Sequence, residues 1–143
     1  MKMNTDFAKS RIIDYHSENP ELNPIQILNE YFEDVFYDVE DIEINKKKLS
    51  LSLLDFYIRE LIFDFKKEEM LKKEINARYK FSVSVASSNS FIIKSSLLDS
   101  FEAYIIFTEN HSKITCLYNI DGSPKMKIEE LISDFIEMID LNY

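Results

Sequence analysis

Carboxylates crowd one stretch of this sequence: Glu30, Glu33, Asp34, Asp38, Glu40, Asp41 and Glu43 are interleaved with Tyr31, Phe32, Phe36 and Tyr37. From Ile12 to Asn45 there is no lysine or arginine, and ten acids give that segment a net charge of −10 against −9 for the whole chain. The remainder therefore sums to +1. A field so concentrated draws a basic partner and repels nucleic acid, which needs a basic stripe to displace counterions from phosphates. Acids at helical and strand spacing can occupy the place where a basic protein would hold a phosphate backbone. The charges speed encounter, while Tyr31 and Tyr37 anchor the centre of the contact. The plainer alternative is a solvated helix face whose charge serves solubility.

Other chemistry-bearing residues form no comparable pattern. His16 falls late in a predicted helix and His111 in a predicted turn, so they make neither a metal box nor a triad, and both are expected to face solvent. Cys116 alternates with Ile114 and Tyr118 on a predicted strand and reads as a small buried hydrophobe, with no neighbouring motif that activates a thiol. Ser82, Ser84, Ser87, Ser88, Ser90, Ser95 and Ser96 lack the flanking glycines of a nucleophile elbow and read as the wetter face and turns of a sheet. The one glycine, Gly122, excludes phosphate-cradling loops that need several. Acid pairs such as Glu33-Asp34, Glu40-Asp41 and Glu129-Glu130 lack the glycine of a calcium loop, and a glycosidase-like pair leaves no local signature. No metal, no cofactor and no enzymatic activity are expected.

The elements that position the acids follow from periodicity. Thr5 to Ser17 predicts a helix that ends at Asn19-Pro20. Asn23 as cap, Pro24 at the first position and Gln26 three residues after the cap predict a second helix running to about Tyr37. Its buried arc holds Ile25, Leu28, Phe32, Val35 and Phe36, and its opposite face gathers Glu30, Glu33, Asp34 and Tyr37, with Tyr31 at the boundary. Ile42, Ile44, Leu49, Leu51 and Leu53 alternate with polar residues, which predicts a short hairpin turning at Asn45 to Lys48; the rival is a helix starting near Ser50 or Ser52. Leu54, Ile58, Leu61, Ile62 and Phe65, with the pairs Glu68 to Lys72 and Glu69 to Lys73, extend a long helix toward Asn76. Period-two patterns predict strands from Tyr79 to Val85, Phe91 to Ser95, Phe101 to Thr108 and Lys113 to Asn119, linked by Ser87-Ser88-Asn89 and Glu109-Asn110-His111-Ser112. With no crossover helix, the sheet should be antiparallel. Ser123 and Pro124 then start a last helix with Ile128, Leu131, Ile132, Phe135 and Ile139 on its buried side.

The expected class is α+β: amino-terminal helices and a carboxy-terminal helix on an antiparallel sheet of about four strands, in one domain spanning residues 1–143. One cysteine suits a reducing cytoplasm, and Met1 to Asp6 holds no apolar signal segment. The longest uncharged run, Phe81 to Ile93, has 13 residues, short of the roughly 18 that span a bilayer.

In this profile of small size, acidity and absent catalytic motifs, the chain is similar to bacterial immunity proteins that neutralise nuclease toxins and to phage inhibitors of defence nucleases. That resemblance of composition implies a cytoplasmic inhibitor that covers the substrate groove of a basic partner, with Glu30, Tyr31, Glu33, Asp34, Tyr37, Asp38, Glu40, Asp41 and Glu43 at the contact. Reversing Glu33, Asp34, Asp38 and Asp41 to lysine should then weaken binding and spare the fold. The alternative is an acidic dimeric chaperone or scaffold, because both alternating sets of Phe101 to Thr108 contain large apolar residues and one set needs a cover. An obligate dimer would favour that reading.

Overall fold

Three asparagines start helices in the computed structural model, which describes residues 2–87, 90–97, 102–107, 114–118, 124–125 and 128–142, with side chains described for 4–41, 43–87, 90–97 and 128–141. After a two-residue strand, β1 (Lys2–Met3), Asn4 accepts a hydrogen bond from the Phe7 amide at 2.8 Å and opens α1 (Thr5–Glu18). Asn23 accepts from the Gln26 amide at 2.8 Å and opens α2 (Pro24–Glu30), as its sequence predicts. The reciprocal half of a capping box is absent there, because the Gln26 amide side chain donates forward to Glu30 at 3.0 Å. Each cap satisfies an amide that the first helical turn leaves without an internal partner.

The second helix does not run to Tyr37. It stops at Glu30, and a separate single turn, α3 (Phe32–Val35), follows. Tyr31 is the hinge, with φ −119° and ψ 18°. Its amide donates to the Ile27 carbonyl and its carbonyl accepts from the Val35 amide, both at 3.0 Å, so the chain changes direction while keeping its backbone bonds. Beyond α3, β2 (Asp41–Ile42) pairs in parallel with β1, Lys2 opposite Asp41 and Met3 opposite Ile42.

The predicted hairpin turning at Asn45 to Lys48 does not form, and its rival starts too late. Asn45 accepts from the Lys48 amide at 3.0 Å and opens α4 (Lys46–Lys66). The alternation of Leu49, Leu51 and Leu53 is coincidental, since Leu49, Leu53, Leu54, Ile58 and Ile62 are at most 1% exposed along one helical face. Ser50 is buried among them because its hydroxyl donates back to the Lys46 carbonyl at 2.8 Å. We expect Asn45→Ala to cost about 1 kcal/mol, read as a lower denaturant midpoint at unchanged slope.

Helix α4 ends at Lys66 rather than near Asn76, and the predicted pairs of Glu68 and Glu69 with Lys72 and Lys73 are lost with the helix. Lys72 instead reaches Glu60 at 2.6 Å and lies over the Phe63 ring, and it begins a 3-10 turn (Lys72–Glu74) that leads into α5 (Ile75–Tyr79). Tyr79, predicted to be in a strand, closes α5. Lys80 takes the left-handed conformation at φ 47°, ψ 42° and turns the chain into the sheet.

Strands β3 (Phe81–Ser87), β4 (Ser90–Ser95), β5 (Glu102–Phe107), β6 (Ile114–Tyr118) and β7 (Pro124–Lys125) lie side by side in sequence order, every pair antiparallel. The class is α+β, with five strands in this sheet among the described residues rather than about four. Pro124 sits in β7, not at the start of α6 (Ile128–Asn142). The proposed links at 88–89 and 109–112, and His111 with them, lie outside the described residues, as do the side chains of Cys116 and of the apolar sets in 101–108.

Helix α4 is central, touching α1, α2, α6 and β3, while α6 also meets β6 and β7. The amino-terminal helices thus pack chiefly on α4 instead of directly on the sheet. Ile128, Leu131, Ile132, Phe135 and Ile139 are all buried, as the last helix's periodicity predicts. Ser90 and Ser95 are buried too, contrary to the wet-face reading: Ser95 donates to the Tyr79 carbonyl at 2.7 Å and Ser90 shares a 2.6 Å hydroxyl contact with Ser87. No helix among the described residues is long and apolar enough to cross a membrane.

Candidate acidic interaction surface

The break at Tyr31 decides how the acids are displayed. Ile25, Leu28, Val35 and Phe36 are buried and Phe32 is half-buried against Phe36, ring centroids 4.7 Å apart, so the apolar arc faces the core despite the change of direction. Glu30, Glu33, Asp34, Tyr37, Asp38, Glu40, Asp41 and Glu43 are exposed. Tyr31 alone of the nine is not, because its ring packs on Tyr15 of α1 at 6.2 Å. It supports the surface from beneath, whereas Tyr37 is 81% exposed and presents a nearly free ring.

Two open grooves run beside these residues. One, of about 600 Å³, brings Glu30, Glu33 and Asp34 together with Leu28, Phe32, Ile44 and one cation, Lys46, in its lining. The second, of about 290 Å³, joins Asp34 and Tyr37 to Arg11, Asp14, Tyr15 and Glu18 of α1. Asp34 stands between the two. Asp38, Glu40, Asp41 and Glu43 line neither groove and lie beyond α3. Asp14 and Glu18 were in the basic-free segment but not among the expected contact residues; their spacing of four on one helix was the available signal.

One predicted acid is engaged within the fold. Arg11, the last cation before the basic-free segment, donates to Asp38 at 2.7 Å and to the Val35 carbonyl at 2.7 Å, with its guanidinium near the rings of Phe7 and Phe36. That guanidinium holds the Asp38 carboxyl below the usual carboxylate range. Asp38 thus helps fasten α3 to α1, and reversing it would place two cations together. Among the described residues, no ion pair involves Glu33, Asp34, Glu40 or Asp41.

His16 is not the solvent-facing residue that its sequence context predicts. Its Nδ1 lies 2.6 Å from the Leu22 carbonyl, and its ring meets Tyr57 edge-on at 5.7 Å. The Tyr57 hydroxyl donates to Glu129 at 2.7 Å, and burial, reinforced by that carboxylate, raises its pKa. This chain of contacts fixes the α1–α2 connection to α4 and α6. Among the described residues, no group of three or more His, Cys, Asp or Glu is arranged to hold a metal ion.

A second ionic cluster lies where α4, α5 and α6 meet. Asp140 accepts from Lys66 at 2.9 Å, Arg78 at 3.0 Å and the Tyr79 hydroxyl at 3.3 Å, beside an open groove of about 380 Å³. Burial pushes the Asp140 pKa up, but the two cations outweigh it and leave the carboxyl below its ordinary value. Lys66 shifts upward through its bonds to Glu69 and Asp140. Three donors committed to one carboxylate read as a junction that ties three helices. A carboxylate with a depressed folded pKa contributes stability above its unfolded value of about 3.9, and this is lost as pH falls through the lower folded value. We expect Asp140→Asn to cost about 2 kcal/mol at neutral pH and the difference from wild type to shrink in that acid range, as read from denaturation at several pH values.

No protein-family model matches the chain, and no curated protein or solved structure matches it either.

Proposed function

We propose that this protein is a cytoplasmic inhibitor of the immunity type, which neutralises a basic protein partner, a nuclease or another nucleic-acid enzyme, by occupying its phosphate-binding groove. The observation that supports this reading most is the exposure of eight of the nine acidic-segment residues, with Glu30, Glu33 and Asp34 converging on one groove and Tyr37 standing free beside the next. Carboxylates at a rim steer a cationic partner, and an exposed tyrosine supplies contact area at little entropic cost. The contact is centred on Glu30, Glu33, Asp34 and Tyr37, extends to Asp14 and Glu18, and continues through Glu40, Asp41 and Glu43.

Affinity purification from the native cell, with the tagged protein as bait and mass spectrometry of the eluate, tests the proposal. It predicts a basic nucleic-acid enzyme that elutes as salt is raised. Recovery of an acidic or neutral partner through a salt-resistant contact would overturn it.

A further inference from the structure

We propose that the β3 edge of the sheet is a self-association surface through which two copies of this chain pair antiparallel, joining their sheets edge to edge. The two ends of the sheet are built differently. At one end, β7 carries Pro124 and Lys125, residue types that blunt an edge against further pairing. At the other, β3 is the last strand among the described residues and has the sequence Phe-Ser-Val-Ser-Val-Ala-Ser, without a charge or a proline.

The backbone of β3 has polar groups to offer. The Ser96 amide donates to the Lys80 carbonyl at 3.2 Å, and the register pairs Ser82 with Lys94 and Ser84 with Ile92. In an antiparallel ladder, successive residues direct their N–H and C=O to opposite sides. Lys80, Ser82 and Ser84 therefore bond toward β4, and Val83 and Val85 aim theirs at the open edge. Arg59 of α4 lies over Phe81 at 4.8 Å and covers the start of the strand, while Ser82 and the stretch from Ser84 to Ser87 are exposed and Val83 is half-buried. A bulge between Val85 and Ser87 limits the regular pairing stretch to the residues before it.

The occupant is a second copy because this strand is complementary to itself. A two-fold axis through Ser84 sets Val83 of one copy opposite Val85 of the other, the outward-bonding residues facing each other. No charge opposes a like charge anywhere along it. In a chain of net charge −9, Phe81 to Ile93 is the longest uncharged run, and the strand begins that run. A basic partner is steered instead to the acidic helices, so the edge-to-edge contact stands independently of the proposed inhibitory surface.

Sedimentation of the full chain gives the first test, and twice the 17.0 kDa monomer mass at high concentration is expected. Val83→Pro removes an outward amide that β4 does not use, and Val85→Lys sets a cation on the seam; each should return the protein to a monomer with unchanged circular dichroism. Ser84→Cys should form an intermolecular disulfide on mild oxidation, since residues facing each other in a non-hydrogen-bonded pair bring their Cα atoms within disulfide reach. Wild type, with Cys116 alone, is the control. A monomer at every concentration, or a dimer that survives both edge substitutions and does not cross-link through position 84, overturns the proposal.

Discussion

Replacing Glu33, Asp34, Glu40 and Asp41 together by lysine lowers affinity for the captured basic partner by about 100-fold or more, with the fold retained. Each is exposed, and none forms an ion pair among the described residues, so the substitutions leave no internal cation unpartnered. An exposed pair is worth roughly 0.2–1 kcal/mol, and close charge pairs within interfaces couple by about 1.5–7 kcal/mol. Four reversals remove attractions and add repulsions, so even low values in that range reach 100-fold, about 2.7 kcal/mol. Asp38 is left in place, although its position in the sequence recommends it, because its reversal would confuse lost binding with lost support for α3. Titration calorimetry of wild type and variant against the purified partner checks the result; equal affinities reject the acidic surface as the binding site.

Arg11→Ala destabilises the protein by about 3 kcal/mol and weakens partner binding as well. Hydrogen bonds to charged groups contribute about 1.5–3 kcal/mol each. The contact with Asp38 is left out of that sum, because its side chain is 50% exposed and screened by water. The bond to the Val35 carbonyl is partly buried and keeps more of its value. Contacts of the guanidinium with Phe7 and Phe36 add about 0.5–1 kcal/mol each. Arg11→Lys keeps the charge but cannot reach Asp38 and Val35 with one planar fork, so it falls between wild type and alanine. Hydrogen exchange should quicken at 32–39 before the rest of the chain, because this cation fastens α3. Stability within about 0.5 kcal/mol of wild type, the usual spread for a surface substitution, would contradict this role.

Local signals carried the start of α2, the last helix and the inward arc of the acidic segment. Asn23 and Pro24 declare a helix start through their own backbone chemistry, and Ile128 to Ile139 repeat cleanly at 3.6 residues. The interruption at Tyr31 left no comparable mark: no glycine or proline stands there, and the hinge is set by Tyr31 packing on Tyr15 and by the pull of Arg11 on Val35 and Asp38. Contacts across 24 and 27 residues do not show in a window of local periodicity. The hairpin expected near Lys46 fails for a related reason. Leu49 and Leu53, four residues apart, satisfy both periods over so short a run, and only the continuation through Leu54, Ile58 and Ile62 decides for a helix. Of the surface itself, the exposure of Glu30, Glu33, Asp34 and Tyr37 was legible but their sharing of one helical face was not, since the helix breaks at Tyr31, and the contribution of Asp14 and Glu18 depends on how α1 packs beside α3.

Competition between this protein and a labelled DNA or RNA duplex for the purified partner most directly tests whether the acidic surface stands in for a phosphate backbone. The two ligands should exclude one another, so that raising the protein concentration releases the duplex completely, and the lysine-reversed variant should need a concentration about 100-fold higher or more to do the same. A ternary complex, with duplex and protein held at once and neither weakening the other, would contradict the account.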